Sequence, residues 1–126
     1  MSSPFEPWFR LDREPALVRL TRTSTPFSTL TEVERGHRAV VDALEALPQP
    51  RGAVLVDLRD VSGRNDPEFE RAVAPLRKRI FLGFERSAVL VRSAIGRLQL
   101  QRHLAEDGLG TRAFDDLDAA FAYLRG

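Results

Sequence analysis

Between Asp57 and Asp66 the chain gathers Asp57, Arg59, Asp60, Ser62, Arg64, Asn65 and Asp66 directly behind an apolar run, Ala53-Val54-Leu55-Val56. Polar groups at the end of a central strand are where open α/β sheets bind ligands and partners. Such charges can polarise a substrate or read a partner, and they can also neutralise one another as a surface ion-pair network. Catalysis asks for more: a nucleophile or an acid/base pair held by an orienting third group. Only His37 and His103 are available, there is no cysteine, and neither histidine has a metal-ligand spacing to another. No GxSxG elbow, Walker A loop or GxGxxG fingerprint occurs. The expectation is a recognition loop with no catalytic residue, no metal and no cofactor.

Local structure accounts for some of these residues. Asp66-Pro67 is a helix start, because Asp accepts from orphan N–H groups and Pro at the first helical position gives up no needed donor. Ser62-Gly63 reads as a turn. Arg59, Asp60, Ser62, Arg64 and Asn65 remain as binding candidates whose polarity no local element demands, with Asp66 beside them. His37 lies on an apolar stripe between Val33 and Val40 and is expected to pack at its edge, while His103 falls in a polar turn and is expected to be solvated.

The elements that must position this loop follow from periodicity. Trp8 to Asp12 and Ala16 to Arg22 read as a hairpin about Arg13-Glu14-Pro15, with Val18 and Leu20 alternating against Arg19 and Thr21. Thr29 and Glu32 have the spacing of a capping box, with the carboxylate expected to return to the cap residue. The helix that follows carries Leu30, Val33, Val40, Val41, Leu44 and Leu47 on one stripe and stops at Pro48. Ala53 to Leu58 is a buried strand. The helix from Asp66 places Phe69, Val73, Leu76 and Ile80 together, with Pro75 expected to kink or shorten it.

Arg77-Lys78-Arg79 then precedes Ile80, Phe81, Leu82 and Phe84. The cations are expected in water and the apolar residues under the helix-to-strand turn; the other use of such a segment is to touch a membrane or cradle an acyl chain. Ser87 to Val91 is a strand, Ser93 caps a helix to about Asp107, Thr111 to Phe114 is a last strand, and Asp115 with Asp118 opens a final helix. In the helix after Ser93, Ala94, Ile95, Leu98 and Ala105 share the face expected on the sheet. Leu100 and Leu104 stand opposite, as a surface for a partner or a second copy.

The order is ββαβαβαβα, a single α/β domain over 1–126 with residues 1–7 as a flexible tail and a mixed sheet of about five strands with four helices. Apolar residues make up 43% and charged residues 29%, an ordinary globular balance. With 19 basic and 18 acidic residues the net charge is +1, which lacks the footprint of a nucleic-acid binder. All basic residues but Lys78 are Arg, as a GC-rich bacterial genome would give. Pro4 and Pro7 interrupt any signal-like core, and no stretch approaches a membrane span, so a cytoplasmic location is expected.

That element order, with a short last strand followed by FDDLDAAFAYL, resembles the STAS domains of the anti-sigma factor antagonist family from about Phe9 to Leu124. The resemblance implies a non-catalytic regulatory module that binds a protein partner. It also implies an Asp-Leu strand end, here Asp57-Leu58, and an Asp-Ser-Ser-Gly phosphorylation motif, which falls on Asn65-Asp66-Pro67-Glu68. Asp66 stands where the serine would be, so the usual switch is missing, and Ser62 is the hydroxyl left in the loop as a displaced phosphosite. The reading is an adaptor that meets a protein partner through residues 59–66 and the following helix, with Phe69 or Leu100 and Leu104 as apolar anchors and self-association as a further use of the two leucines. The alternative is a lipid or small-ligand binding domain. An adaptor should have a closed core, whereas a carrier should contain an apolar cavity on the scale of several hundred Å³.

Overall fold

The structure, a computed structural model, describes residues 3–61 and 66–126. β1 (Phe9–Glu14) and β2 (Leu17–Arg22) form an antiparallel hairpin, and β3 (Ala53–Asp57), β4 (Arg86–Leu90) and β5 (Arg112–Phe114) continue the sheet in parallel. The spatial order β1-β2-β3-β4-β5 is the chain order. Helices α1 (Leu30–Glu45), α2 (Pro67–Phe81), α3 (Ala94–Asp107) and α4 (Leu117–Arg125) connect and close it, giving the expected ββαβαβαβα mixed sheet.

The period-two alternation of each strand divides the core. Val18, Leu20, Val54, Val56 and Val89 face the side occupied by α1, α2 and α3, whereas Ala53, Leu55, Ala88 and Leu90 face Ala120 and Leu124 of α4. Each fully buried Val or Leu contributes roughly 1.5–3 kcal/mol, so both faces are fixed in register by several such side chains. No helix among the described residues is long and apolar enough to cross a membrane.

Local rules hold with shifts of one residue. Thr29 Oγ1 accepts from Glu32 N at 3.1 Å, but the Glu32 carboxylate accepts from Ser28 N at 2.8 Å rather than from the cap residue itself. The last helix is capped by Asp116, and Asp115 instead pairs with Arg97 at 3.3 Å. α2 runs through Pro75 to Phe81, so the proline does not shorten it. Pro75 is exposed, on the outer side of the helix.

Three expectations are corrected. Phe5, assigned to a flexible tail, is buried in the core with Trp8. Arg77, expected in water, is nearly buried and ion-paired. α3 is rotated from the expected orientation: Leu104 is 1% exposed, Leu100 packs against the core, and Ile95 and Leu98 are 70% and 59% exposed. Apolar residues lie all around this helix, so its wheel admits two inner faces. Gln101 decides between them, accepting from Ala113 N at 2.8 Å and donating to the Thr111 carbonyl at 3.3 Å along edge strand β5. That clasp turns Leu100 and Leu104 inward.

Candidate functional site

Asp57 ends β3 with its side chain 6% exposed, accepting from Arg59 Nη2 at 2.9 Å, from Arg59 Nε and N at 3.1 Å each, and from Arg19 Nη2 at 3.1 Å. Burial opposes its ionisation, but the bonds from Arg59 and Arg19 outweigh that and hold its carboxyl below the usual carboxylate range. Arg59 is therefore committed to fixing the chain as it leaves the strand. Asp60 beyond it is exposed. Asp66 caps α2, accepting from Phe69 N at 3.2 Å. Ser62, Arg64 and Asn65 lie outside the described residues.

The space these elements frame is on the opposite face of the sheet. α2 packs along α1, while α3 packs chiefly on β5. A cavity of about 640 Å³ opens between them over the ends of β2, β3 and β4. Its floor includes Leu20, Val56 and Val89, and its helical walls include Val73, Ile80 and Leu100. Asp60 stands among its lining residues, so the strand-end loop borders this space. Arg77 crosses the gap between α2 and α3, donating to Asp107 at 2.8 and 3.2 Å and to Glu70 at 2.7 Å.

One end of the cavity is aromatic. Trp8 stacks on Phe27 with centroids 5.2 Å apart, and Phe9, Phe27 and Phe69 surround the His37 ring at 5.1, 5.7 and 6.5 Å. Gly36 makes room for the stack, since a Cβ there would lie 3.0 Å from Phe27 and 3.1 Å from Trp8. His37 is buried as expected, with Nδ1 2.7 Å from the Val33 carbonyl. A carbonyl only accepts, so Nδ1 carries the proton and Nε2 of the neutral ring is a bare acceptor. Burial lowers the His37 pKa, with the Val33 bond opposing this and Arg22 and Arg77 adding to it, so the ring is neutral near pH 7.

Arg22 is the residue that the reading of the sequence passed over. It closes β2 at 9% exposure, donates through Nη1 to the Trp8, Thr23 and Thr25 carbonyls, and lies 4.3 Å from the centroid of Phe27. The signal was present in the alternation Val18, Leu20, Arg22, which puts an arginine on the core-facing side. Phe27, in a Ser/Thr/Pro loop, had no periodicity to reveal it. His103 is on α3, half exposed, 3.7 Å from Glu70. Among the described residues no cluster of three metal-ligating side chains occurs.

No family model matches the chain, and no curated protein does. Among solved structures, it is similar to an anti-sigma-factor antagonist (STAS) domain protein from Planctomyces limnophilus. The two are 19% identical and superpose with a TM-score of 0.60 over 94% of this chain and 98% of that one. The chain has the STAS fold.

Proposed function

We propose that this chain is a non-catalytic regulatory module that binds a small apolar ligand in the cavity between α1, α2 and α3. The observation that carries the reading is the cavity itself: about 640 Å³, walled mainly by aliphatic and aromatic side chains and lying at the carboxyl ends of three strands. This volume is in the range of small-molecule sites, and a module that worked by surface contact alone would have no need of it. The STAS fold supports a regulatory role, and aliphatic and aromatic side chains outnumber polar ones on the wall. In the test, 1-decanol is titrated into wild type and Leu100→Trp, whose indole would occupy the space. One saturable site in wild type, weakened at least tenfold in the variant, is expected; equal behaviour of the two proteins would overturn the reading.

A second reading concerns a protein partner. Asp60, Pro67 and Glu68 are exposed beside the cavity, so a partner meeting the start of α2 would sense whether the cavity is filled. Affinity capture from the native cell with Asp60→Arg/Glu68→Arg as bait should lose a partner that wild type recovers. Identical recovery would remove this surface from consideration.

A further inference from the structure

Arg22 is a buried cation without a carboxylate. Its guanidinium is in ion-pair range of no acid among the described residues, and its pKa is lowered by burial alone. The other arginines on the cavity wall among the described residues differ: Arg77 is neutralised by Asp107 and Glu70, and Arg92 is exposed. A buried charge is costly unless paired. Three backbone carbonyls and the Phe27 face offset part of that cost for Arg22, but all three bonds use Nη1.

Nε and Nη2 donate to no described residue. They are not sealed in either, because the only fully occluded side-chain atoms without a partner among the described residues are Arg19 Nε and Thr21 Oγ1. Arg22 lines the cavity. Nε–H and the neighbouring Nη2–H form one edge of the guanidinium, a two-pronged donor whose spacing matches the two oxygens of a carboxylate. The carboxylates on the cavity wall are Asp60, which is exposed, and Glu70, which Arg77 holds at 2.7 Å, so neither serves as the counterion.

Resting on the cavity as the ligand site, we infer that its ligand is a single-chain amphipathic carboxylate, with the apolar chain among Val73, Ile80, Val89 and Leu100 and the head group on the Nε/Nη2 edge of Arg22. The ligand supplies the counterion that the fold omits. A neutral amphiphile of the same length fills the same space without this contact.

The test compares decanoate with 1-decanol in wild type and Arg22→Gln, by calorimetry and by the fluorescence of Trp8, which stacks on the Phe27 ring beside Arg22. Wild type should bind decanoate at least tenfold more tightly than 1-decanol, and Arg22→Gln should abolish that preference while keeping its affinity for 1-decanol. Binding of 1-decanol with no preference for decanoate in wild type, or a preference unchanged in Arg22→Gln, would overturn the head-group assignment and leave the cavity reading intact. Binding of neither would overturn both. Should Arg22→Gln fail to fold, the Nε–H resonance of Arg22 in wild type decides the matter: a downfield shift at saturating decanoate and none with 1-decanol supports the contact, and no shift with decanoate refutes it.

Discussion

Arg77 of α2 grips Asp107 of α3 through two hydrogen bonds, 2.8 and 3.2 Å long, with both side chains nearly buried. This pair spans the gap that the cavity occupies. It makes the separation of the two helices a defined part of the fold.

Removing one partner should be costly. Asp107→Ala leaves Arg77 with Glu70 alone and should destabilise the protein by about 2–4 kcal/mol, measured by urea unfolding. The triple change Glu70→Gln/Arg77→Met/Asp107→Leu should cost less than Asp107→Ala alone, because it leaves no charge of this network without its partner. Equal losses in the two proteins would show that the pair does not act as a unit.

Asp57 predicts acid sensitivity of a definite sign. Its carboxyl is held below the usual range, so the stability it confers is complete above its unfolded value of about 3.9 and is lost as pH falls through the lower folded value. Asp57→Asn should lose roughly 2–3 kcal/mol at pH 7, since Arg19 and Arg59 are left without their shared acceptor. Its stability should also change less than that of wild type between pH 5 and the acid transition. A variant with the wild-type acid profile would refute the role given to the carboxylate.

His37 acts at higher pH. Its folded pKa is lowered, so below the unfolded value of about 6.5 the unfolded chain takes up a proton that the native ring refuses. Stability should therefore fall as pH drops from 7.5 to 5.5, a window above that of Asp57. His37→Gln should flatten this slope in denaturant titrations, and a slope identical to that of wild type would place its source elsewhere.

Asp66 is predicted to act as a cap. Asp66→Ala should lose about 1 kcal/mol and Asp66→Ser should recover most of it, because a hydroxyl also accepts from the Phe69 N–H. Thermal melts of the two variants check this; equal destabilisation would mean that the negative charge, not the cap, is what the position supplies.

Most of the fold was legible because the strands alternate cleanly and Thr29, Asp66 and Ser93 sit at helix starts where their side chains accept from the backbone. α3 was misread because Ile95 and Leu98 give as good a stripe as Leu100 and Leu104, and the choice depends on Gln101 reaching strand β5, a contact between distant residues. The site was legible only at its border. Asp60 and Asp66 belong to the polar loop that the sequence displays, but the cavity arises from the spacing of α2 and α3. Its aromatic end joins Phe9, Phe27, His37 and Phe69, which come from four separate segments. Arg22 was readable from strand alternation alone, and only the fold shows that no acid among the described residues meets it.

The central claim is that a ligand occupies the cavity between α1, α2 and α3. It is tested most directly by intermolecular nuclear Overhauser effects between bound 1-decanol and the methyl groups of the protein. The account predicts contacts from the chain to Val73, Ile80, Val89 and Leu100. Contacts confined to the exposed Ile95 and Leu98, or none at saturation, would contradict it.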